Sequence, residues 1–221
     1  MILKYNNKNI SKVMDILLKR YLKQRQPTLR RTSSYRTPFQ ILIACLISLR
    51  TKDANTEKVS ANLFKIANTP EKLARINIKK LEKLVYSSGY YRKKARTIKY
   101  VSKEILLRFN GKVPKNKEDL LSLKGIGQKT ANIVLAFAYG KDFIPIDTHC
   151  HRIPNRLGWI KTKNADETEK DITKILSKRY WKEFNTIIIL FGQNICLPIS
   201  PKCSICPVKK YCKRIGVKKS R

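Results

Sequence analysis

An all-α fold is the class this sequence predicts, on three observations. Apolar residues recur at three- and four-residue steps, as in Ile98, Val101, Ile105 and Phe109, the period of one helix face. Stop signals follow such runs, as Gly111 and Pro114 follow Arg92–Phe109. Strand-like runs are few and short, Phe143–Ile146 being the clearest.

The elements follow in chain order. Val13, Ile16, Leu17 and Tyr21 share one face of an opening helix. Phe39–Leu49 is apolar nearly all round, through Ile41, Ile43, Ala44, Cys45, Leu46 and Ile47, and reads as a buried helix. Further helices are expected over Asn55–Ala67, Lys79–Ser87, Gln128–Tyr139, Asp147–Leu157, Glu167–Leu176 and Trp181–Phe191. Pro154 falls two turns into one of them, where it should kink the helix or mark its restart. Between Gly140 and Pro145 one helical pattern stops and another begins, which makes that stretch the expected boundary.

A length of 221 residues allows one large domain or two modest ones, and 42% hydrophobic residues exclude wholesale disorder. The longest mostly apolar stretch, Phe39 to Leu49, has 11 residues, against about 20 for a membrane span. The opening MILKYNNKNISKV lacks the apolar core of a secretory signal. The expectation is a soluble, cytoplasmic protein (nucleoid-associated if prokaryotic) with no membrane partner.

Charge sharpens the partner. There are 49 Lys+Arg against 15 Asp+Glu, a formal net charge of +34, and the sequence pI is about 10.2. Such an excess repels itself unless a polyanion shares the space, and nucleic acid is the first choice. An anionic membrane surface and a general lysine bias compete with it. Placement favours nucleic acid: Ile16–Lys52 holds nine bases, Arg92–Lys103 six and Pro201–Arg221 eight, none with an acid.

Cys196, Cys203, Cys206 and Cys212 form a C-x6-C-x2-C-x5-C group, apart from Cys45 and Cys150. Clustered thiols in an intracellular chain favour metal over disulfides. Pro198, Pro201 and Pro207 can fold so short a loop back on itself. Zinc sites usually show two close pairs, and here only Cys203 and Cys206 are close. A [4Fe–4S] cluster also takes four thiolates and suits the looser spacing.

Leu121-Ser-Leu-Lys-Gly-Ile-Gly-Gln-Lys-Thr-Ala131 joins two helical patterns. Gly125 and Gly127 permit unusual backbone angles and close approach of a ligand. The unpaired N–H groups of the following helix can seat a phosphate. Gly-x-Gly alone is more often an ordinary turn; the longer string is far more specific. Lys129 lies in the first turn of that helix, where the helix dipole and neighbouring bases disfavour a second cation. A neutral lysine amine can form a Schiff base, although touching phosphate is the commoner task for one lysine among many. Asp147, at the start of the Ile144–His151 segment, can be an N-cap or an acid–base group. His149 and His151 stand two apart and would diverge on a helix, so they read as structural or DNA-facing rather than metal ligands.

Leu-Lys-Gly-Ile-Gly-Gln-Lys-Thr-Ala, Ile-Asp-Thr-His-Cys-His-Arg and the terminal cysteine pattern, in this order from about Pro38 to Cys212, together resemble the endonuclease III family. These are helix-hairpin-helix DNA glycosylases with an iron–sulfur cluster. The resemblance implies two helical domains with a DNA-binding cleft between them: a six-helix domain at 31–141, and a cluster domain from 1–30 plus 142–221. It implies that the hairpin residues Leu123, Gly125 and Gly127 hold DNA, that Lys129 is the Schiff-base lysine and that Asp147 is the catalytic aspartate. The four clustered cysteines become ligands of a [4Fe–4S] cluster, and Lys209, Lys210, Lys213 and Arg214 a basic loop touching the DNA backbone. Arg50 stands where bacterial members carry a gap-filling glutamine, so the opposite-base preference is open. Tyr90 matches the loop that wedges the other strand.

The implied activity is removal of oxidised pyrimidines from duplex DNA, with strand cleavage 3′ to the abasic site by β-elimination, by a monomer. One alternative is a monofunctional mismatch glycosylase acting on uracil, thymine or adenine. Those relatives usually lack the lysine, and adenine-removing ones carry a further domain for which the nine residues after Cys212 leave no expected room. The other alternative is a non-catalytic iron–sulfur helix-hairpin-helix protein that only binds DNA.

Overall fold

The computed structural model describes residues 7–21 and 37–221. Among them every regular element is helical. In order these are α1 (Asn7–Tyr21), α2 (Pro38–Ser48), α3 (Asp53–Ile66), α4 (Pro70–Arg75), α5 (Ile78–Val85) and α6 (Tyr91–Phe109). Then follow α7 (Lys117–Ser122), α8 (Gln128–Ile133), α9 (Thr148–Leu157), α10 (Ala165–Ile175) and α11 (Trp181–Asn194). Short 3-10 turns at Tyr86–Ser88, Lys178–Tyr180 and Lys209–Tyr211 and a π-helical turn at Val134–Ala138 complete the list. No helix is long and apolar enough to cross a membrane among the described residues.

The chain divides into two compact units at Lys141/Asp142. One contains α2 to α8. The other joins α1 to everything from Asp142 onward. The break falls inside the Gly140–Pro145 stretch. The other expected boundary, between residues 30 and 31, lies outside the described residues, as do Arg30, Arg31 and Arg36.

In the first unit α2 is the central element. Thr37 and Gln40 cap it reciprocally: Thr37 Oγ1 accepts from Gln40 N–H at 3.3 Å, and Gln40 Oε1 from Thr37 N–H at 3.0 Å. Such caps stabilise a helix by about 1 kcal/mol each. Eight of its residues, from Phe39 and Ile41 to Ile47, are buried. α8 does not end at Ile133 but widens into a π-helical turn, Val134–Ala138. Ile41 and Cys45 of α2 pack there against Ile133, with Phe137 and Ala138 beside them.

In the second unit α1 and α9 pack on α11, and Val13, Met14, Leu17, Ile153, Phe184 and Ile188 are fully buried. α9 runs through Pro154 to Leu157 and ends at Gly158, in the left-handed conformation (φ 80°). Phe143–Ile146 forms no strand, contrary to its pattern. Ile144 and Ile146 are buried in the core of this unit. No described strand offers a partner, Pro145 lacks an N–H, and its carbonyl instead accepts from Asn185 Nδ2 at 2.8 Å.

Candidate active site and metal centre

The helix-hairpin-helix turn is built by two backbone bonds. Leu123 N–H donates to Leu120 O at 3.3 Å, and Ile126 N–H to Leu123 O at 2.9 Å. Leu123 and Ile126 are both buried and anchor the turn. The Leu123 side chain, expected against DNA, points into the core, so its part in the hairpin is the turn itself. The two glycines differ in role. Gly125 has φ +98°, and a Cβ there would stand 2.6 Å from Thr97 Cγ2. Gly127 has an ordinary backbone and no atom within 4 Å of where a Cβ would be. It keeps the surface open and, as the N-cap of α8, offers no capping side chain. The first N–H groups of α8 are left for an anion.

Lys129 stands exposed in that first turn. Its charge reaches the buried Cys45 of α2: burial pushes the Cys45 thiol up to about 12, and Lys129 pulls it the other way.

Arg50 and Tyr90 come together from two loops. Both are exposed, and both take the left-handed conformation, φ 55° and 48°, which costs a non-glycine residue about 1–2 kcal/mol. The Arg50 guanidinium lies 5.6 Å from the Tyr90 ring centroid and donates to its hydroxyl at 3.4 Å. With Lys94, Thr97 and Gly125 they line a cleft of about 470 Å³. Lys94 carries no signal among 49 basic residues, yet it is only 6% exposed. Its Nζ donates to Ile47 O, Ser88 O and Thr51 Oγ1, each at 2.7 Å. Burial lowers it to about 8.

Asp147 is the N-cap of α9: its Oδ1 accepts from Cys150 N–H at 2.8 Å. The carboxylate is half-buried, and the Cys150 side chain bonds to it as well as the Cys150 backbone. The histidines that follow serve the fold. His151 Nδ1 pairs with Thr168 Oγ1 at 2.7 Å. The His149 ring lies so close to Gly192 that any Cβ there would stand 2.2 Å from its Nδ1.

The helix that starts at Asp147 also holds the cysteine loop. Arg152 Nη2 donates to Cys196 O at 2.8 Å. Arg156, 7% exposed, donates to Cys196 Sγ at 3.4 Å, Leu197 O at 2.7 Å and Pro198 O at 3.0 Å. Neither arginine stood out in the sequence; their four-residue spacing on one face of a helix was the available signal.

Cys196, Cys203, Cys206 and Cys212 line one pocket with Leu157, Phe191 and Ile195. Among the described residues no three His, Cys, Asp or Glu side chains are grouped as ligands of a single ion. Four thiols around a common hollow match the four thiolates that a [4Fe–4S] cluster takes. Burial raises the Cys206 thiol to about 11 and raises Cys212 as well. Donors to sulfur oppose this: the Arg214 N–H approaches Cys212 Sγ at 3.3 Å. The donor set, the apolar wall and the N–H···S bonds fit a [4Fe–4S] cluster. Beside it Lys209, Lys210, Lys213 and Arg214 are exposed. The Lys213 stem lies on Gly158, where a Cβ would meet its Cδ at 2.4 Å.

Known proteins resemble this chain over most of its length. A family model for HhH-GPD superfamily base excision DNA repair proteins matches residues 43–178. A second, for the iron-sulfur binding domain of endonuclease III, matches residues 196–212. Endonuclease III of Thermotoga maritima is 43% identical over 175 residues, covering 79% of this chain and 82% of its own. A trapped endonuclease III–DNA covalent intermediate superposes with a TM-score of 0.86 at 32% identity, over 94% of this chain and 96% of its own. A thermostable thymine-DNA glycosylase shares the fold, with a TM-score of 0.85 at 23% identity over 94% of this chain and 97% of its own.

Proposed function

The chain belongs to the endonuclease III family of base-excision DNA repair proteins, and from that premise we propose how its own residues carry the work of a DNA glycosylase with abasic-site lyase activity. The observation that carries the assignment is the exposed Lys129 amine in the first turn of α8, directly after the uncapped Gly127. There an amine and a phosphate seat lie within one turn of each other.

The substrate is duplex DNA holding an oxidised pyrimidine. Backbone N–H groups after Gly127 hold a phosphate, while Arg50 and Tyr90 enter the stack. The damaged nucleotide leaves the helix at a cost that is smaller for bases that stack poorly. Lys129, in its neutral form, attacks C1′ as the glycosidic bond breaks, and the base departs with the bonding electrons and takes up a proton. Asp147, half-buried and fixed by its cap on α9, stabilises the cationic sugar and assists proton transfer. The attached Lys129 nitrogen then loses a proton and forms the C=N bond as the C1′–O4′ bond breaks and O4′ takes up a proton. The resulting ring-opened imine acidifies the C2′ proton, and its loss expels the 3′ phosphate. Covalent catalysis thus divides one difficult displacement into easier steps.

The cluster, when bound, supplies a rigid centre for residues 196–212 and no step of this chemistry. Lys209, Lys210, Lys213 and Arg214 grip the DNA backbone from that loop. The protein works as a monomer in the cytoplasm, associated with the nucleoid if the cell is prokaryotic.

The test uses duplexes carrying one oxidised pyrimidine, one uracil or one G·T mismatch, each labelled at the 5′ end. The expected result is base release coupled to strand cleavage on the oxidised pyrimidine, about ten-fold or more faster than on the others. Base release from the mismatch with an intact strand would contradict it and point to a monofunctional enzyme.

A further inference from the structure

We propose that Lys94 is the positioning residue of the strand-separating wedge: its buried ammonium locks the turn after α2 onto the loop before α6, so that Arg50 and Tyr90 act as one two-pronged unit. This rests on the reading above that Arg50 and Tyr90 enter the duplex.

Lys94 gathers three oxygens from two separate loops. Ile47 O belongs to the last turn of α2, and Ser88 O closes the 3-10 turn Tyr86–Ser88. Both are helix C-termini, whose orphan carbonyls and negative dipole ends favour a cation. The third acceptor, Thr51 Oγ1, itself donates to Ser88 O at 2.5 Å, which joins the same two loops a second time. Three acceptors match the three N–H bonds of an ammonium. No carboxylate pairs with Lys94 among the described residues.

A buried charge with no counter-ion is an expensive way to fill space, and an apolar side chain of similar length would pack there without that cost. What the ammonium adds is connection. Arg50 follows Ile47 by three residues, and Tyr90 follows Ser88 by two. The atoms Lys94 holds are therefore the bases of the two prongs. Both prongs keep the left-handed backbone that L-residues disfavour, and Arg50 stacks on Tyr90 across the gap. Loops of this kind hold a strained geometry only where their surroundings over-determine it. Lys94 supplies that from the lining of the cleft it shares with Arg50 and Tyr90.

The experiment compares wild type with Lys94→Met, Arg50→Ala, Tyr90→Ala and the Lys94→Met/Tyr90→Ala double variant, all as holoprotein. Readouts are excision from a paired oxidised-pyrimidine duplex, fluorescence of 2-aminopurine beside the lesion, and borohydride trapping on a single-stranded abasic oligonucleotide. Lys94→Met should slow duplex excision about 10- to 100-fold and suppress the 2-aminopurine rise. Single-strand trapping should stay within about two-fold of wild type, since no opposite strand has to be parted. The double variant should be no slower than Tyr90→Ala. Equal loss in single- and double-stranded assays would overturn the inference, as would additive losses in the double variant. Wild-type behaviour of Lys94→Met beside defective Arg50→Ala and Tyr90→Ala would also overturn it. Normal fluorescence and excision by Arg50→Ala and Tyr90→Ala would instead sink the wedge reading itself. Should Lys94→Met fail to fold, Thr51→Val removes the shared hydroxyl and is held to the same outcomes.

Discussion

Two loop regions of this molecule are held by buried cations, and they differ in what else holds them. The loops that present Arg50 and Tyr90 are short, lie between helices, and are tied by one ammonium that reaches Ile47 O, Ser88 O and Thr51 Oγ1. The cysteine loop from 196 onward carries a single 3-10 turn as its regular structure. It is tied by Arg152 and Arg156 through Cys196 O, Leu197 O, Pro198 O and Cys196 Sγ, and it needs a cluster besides. The lesson concerns a chain with few acids. With 15 carboxylates for 49 bases, buried cations are satisfied by main-chain carbonyls rather than by ion pairs, and loops are what expose such carbonyls.

The comparison breaks most visibly at the cluster. Cys203→Ala should abolish hydrogen-exchange protection across 196–212, while α2 to α8 stay protected, because structural metal binding is folding free energy for the segment that ligates it. Global loss of protection would show that the two regions are not independently held. Next in size is Arg156→Met, which strips partners from Leu197 O and Pro198 O. Stability should drop by about 3 kcal/mol, and the iron–sulfur absorbance should bleach faster under chelator.

On the wedge side, Gly125→Ala meets both a positive φ and Thr97 Cγ2 at 2.6 Å. It should cost about 2 kcal/mol in chemical denaturation, whereas Gly127→Ala should leave stability nearly unchanged and weaken DNA binding. The same region carries a pH difference. Lys94 is lowered to about 8 in the folded protein from 10.5. Below pH 8 both states carry the proton and the burial penalty is complete. Between 8 and 10.5 the unfolded chain keeps a proton the native state has shed, so stability from this residue rises with pH. Measured against Lys94→Met, wild type should therefore gain about 3 kcal/mol across that window, roughly 10 °C in Tm for a chain of this size.

What the sequence made legible was local. The long helices announced themselves by period, and the cysteine group and the Gly125–Lys129 string by spacing within a few residues. The short helices α4 and α7 were missed because six residues hold less than two full turns of an apolar stripe. Their caps were visible all the same: Thr69 before Pro70, and Asn116 accepting from Asp119 N–H at 2.8 Å. Phe143–Ile146 misled because a short apolar run forms a strand only where a partner strand exists, and none does among the described residues. Lys94, Arg152 and Arg156 were illegible for a different reason. Apart from the Lys94–Ser88 bond, their loop partners lie forty or more residues away in sequence, and no local pattern separates a buried base from a solvated one. Leu123 was placed at the DNA by its motif, and only its burial shows that it anchors the turn.

The central claim is that Lys129 is the nucleophile. Incubation with a duplex holding one abasic site, borohydride reduction and peptide mapping of the adduct tests it most directly. A covalent protein–DNA adduct should form, map to the peptide containing Lys129 and vanish in Lys129→Ala. An adduct on another lysine, or none from protein that binds the duplex with its cluster intact, would contradict it.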